Sequence, residues 1–333
     1  MLTVASKRAA KVRFEVVVVS VTLLTVDGLT PKKASLRYVT SMDLPERSLY
    51  LALDIGSTKL AAGVVDDSGR VLVRDRVPTP ARDVWAALER LVRRVIAAAP
   101  GEMVGVGIAC GGPIDTVAGT VMPLHIPSLI DFPLAEAVRE LTGLATTVDN
   151  DAKAFTLAEA WCGAGRGEMD MAGVVIGRSV GAGVISRGRL LSGRRGNTGG
   201  IGHVVVEPEG KPCACGGVGC LEAYASGAAI EAETNRPPQR APLGVIDRTG
   251  LLVGRALVTL AVMVDVRVVV IGGSVALGFG EPFFNAAIEE LHTRARLVHL
   301  QGIEIRRAQL GELSPLIGAA ALARRHALGV GSK

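Results

Sequence analysis

The sequence predicts an α/β fold with two domains around a cleft. The chain has 333 residues, 49% of them hydrophobic, which is enough for a large core and fits two domains better than one. From Leu49 onwards, strand-like and helix-like segments alternate, as they do in α/β sheets. A glycine turn between two strands occurs in each half of the chain, which indicates two similar halves. Ligands of such folds gather at the carboxyl ends of the strands.

Composition and charge exclude several classes of function. The net charge is only +5, and the basic residues are scattered rather than gathered in a stripe. Without a helix-turn-helix pattern or interleaved aromatic residues, no nucleic-acid partner is expected. Of the five cysteines, three lie at positions 213, 215 and 220, which is metal-ligand spacing rather than a disulfide framework. A reducing cytoplasm is the predicted location.

Residues 1–48 are predicted to be an N-terminal extension. A basic start leads into the apolar run Val16 to Val26. Glu15 opens this run, no small-residue cleavage site follows it, and the run is too short to cross a bilayer. We therefore expect neither export nor a membrane partner. Since Met42 directly precedes the first well-formed strand, the extension is expected to be either disordered or the product of a misassigned start.

The first domain is predicted to span residues 49–148. Its strands and helices follow from the apolar periodicity and the turn residues between them. The predicted strands are Tyr50 to Ile55, Leu60 to Val65, Val71 to Val77, Val104 to Ala109 and Ala145 to Val148. The predicted helices are Val84 to Ala98 and Leu134 to Leu141, and a C-terminal helix at 315–329 is expected to return to this domain.

The second domain is predicted to span residues 149–314. Ala172 to Ile176 and Gly183 to Ser186 are its first strands, and the turn Gly177 to Ala182 joins them. Leu251 to Val264 is an apolar helix, which we expect in the core rather than in a membrane. The layout of strand, glycine turn and strand resembles that of the first domain, though hardly in sequence.

The first motif is the turn Asp54-Ile55-Gly56-Ser57-Thr58-Lys59. Its small residues let backbone N–H groups and hydroxyls approach a phosphate closely. No Walker sequence G-x-x-x-x-G-K-[ST] occurs in the chain, so a P-loop NTPase is disfavoured. An ordinary β-turn is the alternative interpretation of these six residues.

The second motif is Asp149-Asn150-Asp151-Ala152, at the end of a strand and the start of a helix. The start of a helix favours a carboxylate. A kinase acting on an alcohol needs one carboxylate within hydrogen-bond reach of the hydroxyl, to accept its proton as the phosphoryl group arrives. An aspartate that only caps the helix is the alternative.

The third motif is the most specific: His203, then Cys213, Cys215 and Cys220, followed by Glu222. One imidazole and three thiolates complete the tetrahedral shell of a zinc ion and leave no position open, so the ion is expected to be structural. Free cysteines are the alternative, but three unliganded thiols this close together would be prone to oxidation.

With these motifs, the chain from about Leu49 to Gly329 resembles the ROK family of repressors, uncharacterised frames and glucokinase-like sugar kinases. The segment Gly202 to Glu222 matches that family in every cysteine, the histidine and the closing glutamate. The resemblance implies an actin-like ATPase (ribonuclease H-like) fold and an ATP-dependent hexose kinase that uses Mg²⁺ and a structural Zn²⁺. The sequence shows no helix-turn-helix domain like that of the family's repressors, so the kinase branch is expected.

The resemblance also implies roles for individual residues. Asp151 resembles the general base, and the residues similar to sugar ligands are Asn150, His203, Glu222 and Gly112. The first phosphate motif would comprise Asp54, Gly56, Ser57, Thr58 and Lys59, and the second Gly177, Arg178, Ser179 and Gly181. Val268 to Ile271 with Gly272 and Gly273 resembles the adenosine motif, in which a strand runs into a glycine turn and a helix. The zinc ligands would be His203, Cys213, Cys215 and Cys220.

Some positions depart from the family pattern. Ser57 stands where the kinases usually have glycine, and Arg178-Ser179 stands where they have threonine-glycine. Gly200 stands where they have a sugar-binding glutamate, three residues before the zinc histidine. Loss of one charged hydrogen bond should weaken sugar binding by about 1.5–3 kcal/mol, but it does not remove the base.

The predicted function is an ATP-dependent kinase that phosphorylates glucose or a related hexose at the 6-hydroxyl, with Asp151 as general base. The alternative is a non-catalytic sugar sensor or regulatory protein descended from such kinases. The sequence does not specify the sugar, and polyphosphate stays open as the phosphoryl donor. Because proteins of this fold commonly dimerise, a homodimer is expected.

Overall fold

The computed structural model describes residues 48–330, which belong to one compact unit. The predicted N-terminal extension, apart from Ser48, lies outside the described residues. Two five-stranded sheets form the frame of this unit. The expected division into domains between residues 148 and 149 stays a prediction.

The first sheet contains the strands of residues 49–150. They are β1 (Leu49–Ile55), β2 (Lys59–Asp66), β3 (Val71–Pro78), β4 (Met103–Cys110) and β7 (Thr146–Asn150), in the order β3-β2-β1-β4-β7. Strands β1, β2 and β3 pair antiparallel, whereas β1, β4 and β7 run parallel. A short hairpin of β5 (Ile114–Asp115) and β6 (Thr120–Val121) lies between β4 and β7 in the chain.

The second sheet repeats this plan. Its strands are β8 (Met171–Ile176), β9 (Val180–Ser186), β10 (Arg189–Leu190), β11 (Val268–Gly272) and β12 (Glu304–Arg307), in the order β10-β9-β8-β11-β12. Three antiparallel strands are again extended by two parallel ones. The equal order of strands in the two sheets confirms the two similar halves expected from the sequence.

Helices cover both sheets. The first part of the chain has α1 (Val84–Ala97), α2 (Leu134–Thr142) and α3 (Asp151–Cys162). The rest has α4 (Glu222–Ala225), α5 (Gly227–Thr234), α6 (Leu243–Val264), α7 (Ser274–Phe279), α8 (Glu281–Arg294) and α9 (Ser314–Ala327). Among residues 48–330, no helix combines the length and the apolar character that crossing a membrane needs.

Three clusters of buried side chains form the core. Leu51 of β1 and Leu88 of α1 belong to the first cluster, and Ile271 of β11 and Phe283 of α8 belong to the second. Because strand side chains alternate between faces, Tyr50 of β1 belongs to a third cluster, which α3 and α9 share with β8 and β11. These two helices therefore lie between the two sheets.

Glycines in the strands let α3 and α9 approach the sheets closely. A Cβ atom at Gly107 of β4 would lie 1.7 Å from the carbonyl oxygen of Ala319 in α9. A Cβ atom at Gly173 of β8 would lie 2.4 Å from the hydroxyl of Thr156 in α3. Any side chain at these strand positions would push the helices away, so the glycines set the spacing between helix and sheet.

Several boundaries differ from the expected ones. Strand β9 begins at Val180, so Gly181 belongs to the strand and not to the turn. A Cβ atom at Gly181 would come within 2.9 Å of the Cβ atom of Ala152, which shows that this glycine makes room for α3. Helix α6 begins at Leu243, well before the expected start. One side of it lies in the core, as expected, whereas Met263 near its end is 77% exposed.

Candidate active site

The first group of predicted site residues converges at one edge of the first sheet. The parallel register pairs Ile55 of β1 with Cys110 of β4, and Cys110 with Asn150 of β7. The chain therefore leaves these strands side by side, into the turn at Gly56, towards Gly112 and into α3. The carboxyl ends of parallel strands gather the motifs at this edge, as expected.

The turn after β1 is short and braced by the end of β3. The N–H of Gly56 donates to the carbonyl oxygen of Lys59 at 3.0 Å. Thr79 donates its hydroxyl to the carbonyl oxygen of Gly56 at 2.6 Å and its N–H to that of Thr58 at 3.1 Å. Ser57 is half-buried and Thr58 is exposed, so their hydroxyls stand on a rigid turn that solvent can reach.

Asp151 is the first residue of α3, but it is not the residue that caps the helix. Asn150 occupies the cap, and its Oδ1 accepts the N–H of Ala152 at 3.0 Å. Asp151 is accessible to solvent, yet the protein around it raises the pKa of its carboxyl by desolvation, against the lowering effect of the Ala152 N–H. Helix capping therefore does not account for Asp151.

Asp54, near the end of β1, interacts electrostatically with Asp151. Its side chain is buried, at 8% exposure. Desolvation and then the negative charge of Asp151 raise the pKa of Asp54 to about 7, while Lys59 acts in the opposite direction. Two carboxylates that disfavour each other's charge form a place where a bound cation is stabilised.

Asp149 and Lys153 form a buried ion pair on either side of Asp151. The Lys153 Nζ lies 2.6 Å from the Asp149 Oδ1, and the two side chains are 0% and 7% exposed respectively. The Nζ also donates to the carbonyl oxygen of Gly196 at 3.1 Å. Sequence reasoning missed this pair, for which the i, i+4 spacing of opposite charges was the available signal.

The second glycine turn joins β8 to β9. The N–H of Gly177 donates to the carbonyl oxygen of Ser179 at 3.0 Å, and the carbonyl oxygen of Gly177 accepts the N–H of Gly227 at 2.7 Å. Arg178 and Ser179 are exposed. The second turn thus has a fixed backbone and two side chains that can reach a ligand.

Strand β11 brings Gly272 and Gly273 next to the second turn. Gly272 pairs with Val175 near the end of β8. Gly273 has a φ of +96°, and a Cβ atom there would come within 2.3 Å of the carbonyl oxygen of Ile176. Helix α7 begins directly afterwards, at Ser274. The expected order of strand, glycine turn and helix is confirmed.

Glu222 links the cysteine segment to the start of β9. Its Oε2 accepts the N–H of Val180 at 2.7 Å. Burial raises the pKa of Glu222 to about 7, against the lowering effect of the Val180 N–H. A Cβ atom at Gly202 would lie 2.8 Å from the same oxygen, so glycine is needed for the carboxylate to fit.

The four predicted zinc ligands lie together. The ligand atoms of His203, Cys213, Cys215 and Cys220 are all within 4.8 Å of one another. The Sγ atoms of Cys215 and Cys220 are 3.8 Å apart, and the Sγ of Cys213 is 3.8 Å from the Nδ1 of His203. Tetrahedral zinc with Zn–S bonds of about 2.3 Å has S–S edges of about 3.8 Å. The residues therefore fit zinc.

The electrostatics of the cluster also favour a cation. The N–H of Gly217 lowers the pKa of the Cys215 thiol, whereas burial raises the pKa of the Cys220 thiol to about 12. A thiolate at Cys220 is therefore costly unless a positive charge offsets it. A zinc ion among the thiolates supplies that charge.

Gly112 lies between two side-chain amides. A Cβ atom at Gly112 would be 3.5 Å from the Nδ2 of Asn150 and 3.9 Å from the Oδ1 of Asn197. Asn197 accepts the N–H of Ile114 at 3.1 Å and donates to the carbonyl oxygen of the same residue at 2.9 Å. Sequence reasoning missed Asn197, since it lies in a loop and belongs to no motif.

Gly200 has open space where a side chain would stand. Its φ is −69°, a value that any residue adopts, and a Cβ atom there would have no atom within 4 Å. Its carbonyl oxygen accepts the N–H of His203 at 3.0 Å, so it is next to the predicted zinc cluster. Neither backbone strain nor packing requires glycine at this position.

The duplicated sheet, with a glycine turn after the first strand of each half, defines the class of protein: the chain has the actin-like ATPase fold. It belongs to the ROK family, whose family model matches residues 50–326. The fold and the family expected from the sequence are therefore confirmed.

Several ROK sugar kinases are similar to this chain. N-acetylmannosamine kinase from Yersinia pseudotuberculosis is 34% identical over 298 residues, which cover 82% of this chain and 98% of that protein. The structure of the ROK hexokinase from Thermus thermophilus is 34% identical, has a TM-score of 0.75, and is matched over 85% of this chain and 100% of its own. A ROK glucokinase from Streptomyces griseus, solved with glucose and AMPPNP, is 29% identical with a TM-score of 0.71, over 84% of this chain and 100% of that one.

Proposed function

We propose that the protein is an ATP-dependent sugar kinase that transfers the γ-phosphoryl group of ATP to the 6-hydroxyl of a hexose. The observation that carries the proposal is the position of Asp151. It begins α3 at the end of β7, Asn150 already caps the helix, and the negative charge of Asp151 acts on the buried carboxyl of Asp54. The sugar kinases among the relatives support a sugar as the acceptor.

In the proposed step, the hydroxyl oxygen of the sugar forms a bond to the γ-phosphorus of ATP. The bond between that phosphorus and the bridging oxygen breaks, and ADP leaves with its electrons. Asp151 accepts the proton of the hydroxyl, and desolvation raises its pKa, which makes it a stronger base than an ordinary aspartate. Mg²⁺ supplies neutralisation of the phosphate charge when it is bound with the nucleotide. Asp54 is the residue proposed to hold it, through water.

The two glycine turns are proposed to bind the phosphates. Thr58 and Lys59 lie on the braced first turn, and the exposed Arg178 and Ser179 lie on the second. Backbone N–H groups and hydroxyls on such turns are suited to phosphate oxygens. The turn at Gly272 and Gly273, next to the second turn, is proposed to bind the adenosine.

The sugar is proposed to bind between Asn150, Gly112, Glu222 and His203. The Nδ1 of His203 lies towards Cys213, at 3.8 Å from its Sγ, so the same ring retains its Nε2 for a sugar hydroxyl. Zinc bound by the cluster of His203, Cys213, Cys215 and Cys220 would fix the orientation of this imidazole. Its role is structural, because four protein ligands leave no open position.

The choice among hexoses is proposed to depend on the open space at Gly200. A glucose-like sugar and an N-acylated amino sugar differ by a substituent that needs such space. Glucose, mannose and N-acetylmannosamine are therefore the acceptors to compare.

A coupled assay for ADP release tests the proposal. Wild-type protein with ATP and Mg²⁺ should release ADP in proportion to at least one of the three sugars, and Asp151→Asn should not. Calorimetric titration of the same sugars distinguishes the alternative. Sugar binding without turnover by the wild type would favour the non-catalytic sensor.

A further inference from the structure

The loop of residues 191–200 connects elements that come from both sheets. It follows β10 and leads to the helical turn that contains His203. The N–H of Ala182 in β9 donates to the carbonyl oxygen of Gly199 at 2.8 Å. On its other side, the 191–200 loop contacts α3 through Gly196 and the hairpin of β5 and β6 through Asn197. Each of these elements adjoins the candidate site.

Lys153 is the contact to α3, and its burial is costly. The side chain is 0% exposed, and its partners are the carboxylate of Asp149 and the carbonyl oxygen of Gly196. Apolar residues often replace a buried ion pair without loss of stability, so such a pair is a weak argument for stability alone. The Lys153 ammonium does what an apolar side chain could not, since it holds a loop backbone against the helical turn of Asp151.

Asn197 is the contact to the hairpin, and it uses both ends of its amide. The two hydrogen bonds to Ile114 imitate the pairing of a neighbouring strand, although the two residues are 83 positions apart. The loop is also closely packed at this point. Gly196 has a φ of +90°, and a Cβ atom there would lie 2.4 Å from the Cγ2 of Thr116.

We propose that Lys153 and Asn197 are positioning residues for the phosphorylation of the sugar. Lys153 holds the 191–200 loop against the start of α3, and Asn197 holds the segment of Gly112 to the same loop. The amides of Asn150 and Asn197 on either side of Gly112 then keep a constant distance from Asp151. This inference rests on the proposed sugar kinase function.

Constant geometry matters because proximity supplies much of the rate of a group transfer. A displacement of about 1 Å between reacting groups can reduce the rate about a hundredfold. The two contacts act in series through adjacent residues, Gly196 and Asn197. Loss of either one is therefore expected to release the same segment.

A double-mutant cycle tests the inference on the full chain. Asn197→Ala, Lys153→Met and the double variant are compared in kcat and KM for glucose, mannose and N-acetylmannosamine, and in KM for ATP. Each single variant should lower kcat/KM for the accepted sugar about tenfold, through a higher KM and a lower kcat together, with KM for ATP within about twofold of wild type. The kcat/KM of the double variant should be only slightly below that of the less active single variant, because the two effects are coupled. Arg194→Ala, an exposed position of the same loop, is the matched control and should behave like wild type.

The outcomes separate this inference from the proposed function. Unchanged KM for the sugar in Asn197→Ala, or independent effects that multiply in the double variant, would overturn the positioning role. If Lys153→Met does not fold, Asn197→Ala decides alone, since this exposed side chain leaves no buried charge behind when it is removed. If wild type binds a sugar without phosphorylating it, the proposed function fails, and an unchanged calorimetric affinity in Asn197→Ala then overturns the inference. A wild type that neither phosphorylates nor binds any of the three sugars overturns both.

Discussion

The carboxylate of Glu222 accepts the backbone N–H of Val180 at 2.7 Å, which joins the cysteine cluster to the second glycine turn. Glu222 follows Cys220 by two positions, and Val180 is the first residue of β9 after that turn. The cluster therefore supports the proposed phosphate side of the site as well as the proposed sugar side. A change in the cluster is expected to affect both.

The first prediction concerns the metal content of the cluster. Cys215→Ser removes one of four ligands and should lower the zinc content below the one ion per chain expected of wild type. It should also destabilise residues 203–222, because the binding energy of a structural site is folding energy. Elemental analysis and thermal melting measure the two effects. Cys162→Ser, outside the cluster, is the control and should retain zinc. Freshly purified wild type without zinc would contradict the prediction.

The second prediction concerns the base. Asp151→Asn should reduce kcat by at least about a hundredfold, while KM for sugar and ATP changes little, because the amide cannot accept the hydroxyl proton. The melting temperature should stay close to that of wild type, since Asn150 retains the helix cap. Steady-state kinetics on purified protein provide the measurement. A variant that retains most of its kcat would show that another group takes the proton.

The third prediction concerns Asp149, the charged partner of Lys153. Asp149→Asn leaves the buried Lys153 ammonium without its charged partner. Breaking such a pair costs about 3–5 kcal/mol, so the variant should be strongly destabilised. Urea denaturation measures the loss in the free energy of unfolding. The double variant Asp149→Asn with Lys153→Met should recover part of it, because no buried charge is then unpaired. Equal stability of wild type and Asp149→Asn would mean that the pair is not buried in solution.

The fourth prediction concerns the space at Gly200. Gly200→Glu should lower KM for the matching hexose about tenfold, which corresponds to about 1.4 kcal/mol, with little change in kcat. The reason is that a hydrogen bond from the sugar to the glutamate stabilises the ground state and the transition state equally. The negative φ of Gly200 and the open space around it mean that glutamate there would not strain the turn. Gly200→Ala is the control and should leave KM unchanged. An unchanged melting temperature with no gain for any hexose would place the sugar elsewhere.

The fifth prediction concerns pH. The pKa of Asp54 is about 7 in the folded protein, against an ordinary 3.8, so the folded state binds more protons than the unfolded state between these values. The contribution of Asp54 to the free energy of unfolding therefore falls as pH rises from about 4 to about 7, and it is constant above that range. Asp54→Asn should flatten this slope, as measured by denaturant unfolding at several pH values without nucleotide or Mg²⁺. A slope equal to that of wild type would assign the pH dependence to other groups.

Much of the fold could be predicted because its signals are local. The apolar runs of β1 and β4, the turn at Gly56 and the start of α3 after Asn150 depend on residues close together in the chain. Predictions of element boundaries were wrong where the same residue type is typical of two different structures. Gly181 looked like part of a turn, but it lies in β9, where a missing side chain makes room for Ala152 of α3.

The candidate site could be predicted only in part, because only some of its features depend on residues close together in the chain. The spacing of His203 and the three cysteines was sufficient to indicate four ligands, because they lie in one short segment. The pair of Asp149 and Lys153 was only weakly indicated, since opposite charges at i, i+4 are common on exposed helix surfaces. No residue nearby in the chain shows that this pair is buried.

The sequence by itself determined most of the strands, the glycine turns, the place of Asp151 at a helix start and the four proposed zinc ligands, since each depends on neighbours in the chain. Only the tertiary structure decided that Lys153 is buried against Gly196, that Asn197 pairs with Ile114, that Glu222 holds Val180 and that Gly200 is free of strain. These are contacts between distant segments or dihedral angles. Burial and hydrogen-bond geometry arise when the two sheets and the helices between them pack. The order of residues in the sequence does not give the distances between segments that are far apart in the chain.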